Sequence, residues 1–183
     1  MSHFGSGIEY GLHCLLLLVD REESSAPSSK DLADFQGLSP SYVAKLFTRL
    51  EKAGLVQSIE GLGGGFRLAR PAAKITVLDV VDALEGDKPL FQCRDVRDDC
   101  VLYAGLPPNW GAGDVCTIHA VMLEAEARMR EALAARTLAE IDTVVADKLS
   151  GNFMRRTAAW FDDRHVARRS RAGRPSRNKE ARP

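Results

Sequence analysis

GLSPSYVAKLFTRLEKAGLVQSIEGLGGGFRLARP, residues 37–71, is the stretch that decides the fold. Ser39 is placed as a helix N-cap with Pro40 at the first helical position, where its fixed φ and missing N–H cost nothing. Val43, Leu46, Phe47 and Leu50 follow at helical spacing, and Gly54 stops the pattern. Just upstream, Ser28 or Ser29 can cap a shorter helix carrying Asp31, Leu32, Ala33 and Phe35, which ends at Gly37. Two helices joined by so tight a glycine-containing turn predict a helix-turn-helix. Beyond Gly54, Leu55–Ile59 and Gly65–Leu68 read as two short strands around Gly61, Gly63, Gly64 and Gly65, a wing hairpin. A phosphate-cradling loop is the competing reading of these glycines, but such a loop opens a helix, and here Arg70-Pro71 closes the segment.

Outward from this unit, Ile8, Leu12, Leu15, Leu16 and Val19 predict a largely buried first helix over residues 6–20. Thr76 and Asp79 form a capping pair for a helix through Leu84, ended by Gly86, where the compact domain is expected to finish. Residues 86–115 form a long irregular stretch rich in Gly and Pro. A loop of that length in a small protein is functional or disordered. Ile118, Val121, Met122, Ala125, Met129 and Leu133 then share one face of a long helix over 117–136, and Thr137 with Glu140 caps a last helix to about Leu149. The small domain cannot cover the long helix by itself, so a self-complementary pairing across a two-fold axis, a homodimer, is expected. The expected organisation is mainly α with a small β wing: a winged helix-turn-helix domain over 1–86, a loop over 87–116, a dimerisation helix and its successor over 117–150, and an extension over 151–183.

The 183 residues, 45% hydrophobic, can supply a real core. Formal net charge is zero, yet residues 164–183 hold eight Lys/Arg against one acidic residue, so this segment is about +7 and the remainder about −7. From Arg164 onward the composition predicts a disordered basic arm, either merely solvated or a non-specific phosphate binder. No apolar run is long enough to cross a bilayer and no secretory signal opens the chain, so a cytoplasmic protein without membrane partners is expected. Four cysteines in that reducing compartment point to buried thiols, metal ligands or redox sites before structural disulfides. No nucleophile–base constellation, Walker motif or dinucleotide fingerprint is present, which argues against an enzyme.

Glu9 and His13 are four residues apart on the first helix, a spacing that can chelate one metal ion or form an ordinary surface pair. Cys93, Cys100 and Cys116 fall in the irregular stretch; Cys14 fits the core. Cys116 stands where the long helix opens, and the helix dipole favours a thiolate there. His119, one turn further, is a secondary candidate, and His3 and His165 fall in expected flexible ends.

Taken together, GIEYGLHCL, LSPSYVAKLFTRLEKAGLV, SIEGLGGGFRLARP, ITVLDVVDALEG and the loop cysteines resemble the Rrf-type family of winged helix-turn-helix transcription regulators over residues 4–145. The resemblance implies a homodimer on palindromic promoter DNA, with an iron-sulfur cluster at the junction of the DNA-binding domain and the long helix. It assigns base or groove contacts to Ser39, Ser41, Tyr42 and Lys45, a phosphate contact to Arg49, and wing contacts to Gly63, Gly64 and Arg67, with half-sites about 10 base pairs apart. Glu60 departs from the pattern, since a carboxylate in the wing turn repels phosphate. The RsrR-like branch implies a 2Fe-2S cluster held by Glu9, His13, Cys93 and Cys116 and acting as a redox or stress sensor. The alternatives are a three-cysteine 4Fe-4S nitric oxide or iron sensor that adds Cys100, and a cluster-free repressor with a thiol or small-ligand switch.

Overall fold

The computed structural model describes residues 4–21, 25–61, 63–86, 88–94, 101 and 115–172. Its elements run α1 (Ser6–Leu16), α2 (Ser29–Gln36), α3 (Pro40–Lys52), β1 (Val56–Ile59), β2 (Gly65–Leu68), a 3-10 turn (Ala72–Lys74), α4 (Val77–Glu85), α5 (Thr117–Ala134), α6 (Leu138–Lys148) and α7 (Gly151–Ala172). The fold is mainly α with one small antiparallel hairpin, as the sequence predicts.

Local chemistry sets the boundaries. Reciprocal capping boxes open α2 (Ser28 and Asp31), α4 (Thr76 and Asp79) and α6 (Thr137 and Glu140). Each satisfies backbone donors that the first helical turn would otherwise leave unbonded. Gly37, at φ 68°, closes α2 in the left-handed region and lets the chain turn directly into α3. In the hairpin Val56 faces Leu68 and Ile59 faces Gly65. The Phe66 N–H also donates to the Pro27 carbonyl at 2.9 Å, so the segment before α2 flanks the wing. A Cβ at Gly65 would collide with the Ala26 and Pro27 carbonyls, which is why glycine stands there.

The core gathers Leu15 from α1, Leu32 from α2, Phe47 from α3, Val56 from β1 and Val80 from α4. Phe47 stacks on Phe66 with centroids 4.7 Å apart, so the wing is packed onto α3.

Three expectations are corrected. Helix α1 stops at Leu16, not residue 20: Leu17–Asp20 form a turn in which Leu18 N–H bonds Leu15 O at 2.9 Å and Asp20 adopts φ 54°. Leu18 is still buried, so the core takes this side chain from a turn as well as it would from a helix. Second, the packed unit does not finish at Gly86. Leu138 and Phe161 lie in the same core; Leu138 N–H bonds Ile75 O and Val77 N–H bonds Arg136 O, both at 2.8 Å.

The third correction concerns the expected arm from Arg164. Residues 164–172, His165 among them, continue α7, a helix of 22 residues opened by Ser150, whose Oγ accepts from Phe153 N–H at 3.2 Å. The physical reason is docking. Phe161 is buried against Phe35 of α2, centroids 5.0 Å apart, with Trp160 5.2 Å from the same ring. Arg21 lies 4.3 Å over the Phe161 ring. A composition almost devoid of apolar residues becomes helical because its polar side chains find partners.

Candidate functional site

Helix α3 buries Val43, Leu46, Phe47 and Leu50 and turns its other side to solvent. Ser39, Ser41, Tyr42, Lys45 and Arg49 are all on that exposed side. The Ser39 and Ser41 hydroxyls are 3.0 Å apart, so Ser39 bonds Ser41 and does not cap the helix with its side chain. Tyr42 stands edge-on to Tyr10 of α1, centroids 6.0 Å apart at 84°. Its hydroxyl would be 3.1 Å from a Cβ at Gly7. Arg49 donates to the Leu84 carbonyl at the end of α4, 2.7 Å, and so serves as a C-terminal cap for that helix. In the wing, Gly63 (φ 92°) and Gly64 occupy the turn, Arg67 projects from β2, and Glu60 is exposed.

The wing turn has a neighbour that sequence reasoning missed. Arg168 of α7 donates to the carbonyls of Ala26 (2.7 Å) and Gly63 (3.2 Å) and pairs with the buried Asp31, the partner of Ser28 in the α2 capping box. Arg164 pairs with Asp34 at 2.9 Å and lies over the Trp160 ring at 4.5 Å. The spacing of Trp160, Phe161, Arg164, His165 and Arg168 on one helical face was the available signal.

On α1, Glu9 and His13 are exposed one turn apart. They open onto a groove of about 650 Å³ whose apolar walls include Ile8, Leu12, Leu16, Ile141 and Val145. Cys93 and Cys116 are half-buried and bracket the segment between α4 and α5; Cys100 lies outside the described residues. Phe91 is 6.1 Å from the His119 ring, and Leu90 N–H bonds Glu126 at 3.0 Å, so the segment carrying Cys93 lies along α5. Among the described residues no three His, Cys, Asp or Glu side chains converge on one point. The donor types suit iron and sulfide, two thiols with an imidazole and a carboxylate, but one chain does not bring the two pairs together. Cys14 is inside the core, where burial pushes its thiol up to about 12, as suits a packing residue.

Helix α5 joins α4 through the bidentate Arg130–Asp82 pair at 2.8 and 3.0 Å. Its N-terminal half leaves Ile118, Val121 and Leu123 exposed. No helix among the described residues is long and apolar enough to cross a membrane.

A helix pair joined at Gly37 with its second helix exposed, and a hairpin packed on that helix, make a winged helix-turn-helix, the architecture of DNA-binding regulators. The family model for Rrf2, described as an iron-dependent transcriptional regulator, matches residues 4–143. The chain belongs to the Rrf2 family and is a DNA-binding regulator, not an enzyme. It is similar to the regulator IscR of Serratia proteamaculans, 33% identical over 153 residues, covering 81% of this chain and 87% of that protein. IscR of Klebsiella pneumoniae is 30% identical over 132 residues, covering 72% of this chain and 74% of that protein. The solved structure of T. potens IscR superposes with a TM-score of 0.60 at 25% identity, covering 84% of this chain and 96% of that one. The cysteine regulator CymR of B. subtilis superposes with a TM-score of 0.60 at 23% identity over 79% of this chain and 98% of that one, a likeness of fold.

Proposed function

We propose that two copies of this chain pair along α5 and place their α3 helices in successive major grooves of a palindromic promoter, with operator affinity set by a 2Fe-2S cluster. Cys93, Cys116, Glu9 and His13 are the residues that would hold it, the Cys pair and the Glu–His pair coming from different subunits. When bound, such a cluster supplies a one-electron couple; with two thiolates instead of four, the site carries less negative charge, so its reduction is easier than in an all-cysteine site.

The observation that carries this reading is the position of α1. Glu9 and His13 are exposed on it, facing the groove, while Tyr10 and Gly7 meet Tyr42 of α3. One helix therefore carries candidate ligands and a recognition-helix contact. The exposed Ile118 and Val121, neighbours on one face of α5, support the pairing, since exposed apolar side chains of this kind are covered in a dimer. The recognition contacts are Ser39, Ser41, Tyr42 and Lys45, and Gly63, Gly64 and Arg67 form the wing contact. Arg49 can meet phosphate with the guanidinium donors that the Leu84 carbonyl leaves over.

Single alanine variants of Glu9, His13, Cys93, Cys100 and Cys116, purified without oxygen, test the ligand set by visible spectra, iron and sulfide content, and operator affinity in both redox states. Cys93→Ala and Cys116→Ala should lose the cluster, Glu9→Ala and His13→Ala should weaken or perturb it, and Cys100→Ala should keep the 2Fe-2S spectrum. Loss in Cys100→Ala with none in His13→Ala would establish the three-cysteine 4Fe-4S alternative. Colourless anaerobic wild-type protein would leave the cluster-free repressor.

A further inference from the structure

Helix α7 lies beyond residues 4–143, the span that matches the family model. Its last turns close on the wing. The base of the hairpin is held by α3, through the Phe66 ring on Phe47. A two-stranded hairpin is marginal by itself, however, and beyond the last strand pair, Ile59 with Gly65, the chain runs through Gly61, Gly63 and Gly64. So glycine-rich a turn loses much backbone freedom when it is fixed. Arg168 supplies the fixing. Its Nη2 donates to the Gly63 carbonyl at 3.2 Å and to the Ala26 carbonyl at 2.7 Å, and the same guanidinium pairs with Asp31 of α2. The neighbouring side chains close over the same spot, since a Cβ at Gly63 would come within 2.7 Å of Arg169 Cγ and 3.2 Å of His165 Cε1.

We propose that α7 preorganises the wing for DNA, with Arg168 as the residue that positions the wing turn. The inference rests on the reading that Arg67 and the Gly63–Gly64 turn meet the duplex. The guanidinium joins the wing turn, the segment before α2 and α2 itself, so the turn is fixed relative to the helix-turn-helix and not only to its own hairpin. The planar fork of donors holds these partners in a single geometry. Asp31 strengthens the tie: its carboxylate is buried and already accepts from the Ser28 N–H and hydroxyl, and a buried carboxylate deprived of its cation is strongly destabilising, which favours the docked position of Arg168. Upstream on the same helix Trp160 and Phe161 pack against Phe35, so Arg168 reaches the wing on a docked helix and not on a loose tether. A wing held in place before DNA arrives makes its contact without the loss of freedom that ordering it on the duplex would bring.

The test uses the full chain. Arg168→Met combined with Asp31→Asn removes the clasp, leaves the net charge unchanged and keeps an oxygen for the Ser28 capping box. Affinity for the palindrome that the wild-type chain selects from random DNA is measured for this double variant with Arg67 in place and again with Arg67→Gln. With Arg67 in place the loss should be about tenfold, which is what fixing the backbone of one flexible residue costs. In the Arg67→Gln background it should shrink to about twofold or less, because little wing contact is left to position. The Gly64 N–H, bonded to the Gly61 carbonyl at 3.0 Å, should exchange faster in the double variant while the α3 amides keep their protection. Phe161→Ala, which loosens α7 at its apolar anchor and alters no charge, should give the same pattern, and it decides the matter if the double variant does not fold. An equal loss in both backgrounds overturns the proposal, since a general loss of folded protein gives that result, and so does wild-type affinity in the double variant. Arg67→Gln at wild-type affinity would instead overturn the wing-contact reading on which the proposal rests.

Discussion

Replacing Phe161 by Ala is the most direct trial of the docked C-terminal helix. The ring is 1% exposed and packs against Phe35, with the Arg21 guanidinium 4.3 Å from its centroid. Truncating a buried Phe costs about 3 to 5 kcal/mol, and a partly desolvated cation–π contact adds about 1 kcal/mol. A total near 4 kcal/mol is a large share of the ~5 to 15 kcal/mol that stabilises a typical domain. The loss can appear in two ways. If α7 opens as its own unit, its amides should lose about a thousandfold of hydrogen-exchange protection while α3 and α4 keep theirs. If α7 is cooperative with the rest, the melting temperature falls as well. Either outcome should be accompanied by a change in Trp160 fluorescence, because Trp160 packs on both Phe35 and Arg164. Unchanged exchange across residues 157–168 together with an unchanged melting temperature would refute the docking.

Tyr42→Ala and Lys45→Ala should each weaken operator binding by about 1 to 3 kcal/mol in a fluorescence-anisotropy titration while the dimer persists; unchanged affinity for both would remove the recognition-helix assignment. Burial raises the Cys14 thiol from 9.0 to about 12, which makes folding dependent on its neutral form. The sign follows from linkage: the unfolded thiol ionises first, so the Cys14 contribution is complete below pH 9.0 and is lost as pH rises toward 12. A Cys14→Ala variant should therefore show a flatter loss of stability across that range, and in the wild type iodoacetamide should modify Cys14 only at the rate of unfolding.

Local chemistry made most of this fold readable. The Ser28, Thr76 and Thr137 capping boxes and the Gly37 stop act over three or four residues, so their spacing alone predicts the boundaries of α2, α4 and α6. Where the outcome depends on distant partners, the sequence is silent. Apolar periodicity runs past Leu16, but nothing in it says that a turn will bury Leu18 equally well. Residues 164–172 look like a solvated arm until Asp31, Asp34 and the Gly63 carbonyl, more than a hundred positions earlier, supply partners for their guanidinium groups. The candidate site divides in the same way. The i,i+4 pair Glu9 and His13 is legible because a helix guarantees its geometry, whereas the meeting of that pair with Cys93 and Cys116 is a long-range question that spacing cannot answer.

Helix α1 is held more rigidly than its length suggests. A Cβ at Gly11 would lie 2.5 Å from the Leu84 methyl of α4, and one at Gly7 would lie 3.1 Å from the Tyr42 hydroxyl of α3. These glycines let α1 approach both helices closely, and closely packed surfaces move together or repack; they do not slide freely. Arg49 ties α3 to the end of α4 at Leu84, the same residue that α1 touches through Gly11. The three helices therefore form a closed triangle with Leu84 at one corner. Any force applied at the exposed Glu9–His13 face must either rotate the triangle as a body, carrying α3 with it, or open the Tyr10–Tyr42 edge, a contact between two side chains that are not fully buried. Both responses alter how α3 is presented to a groove, which is the physical requirement for a regulator whose signal is received on α1 and expressed on α3.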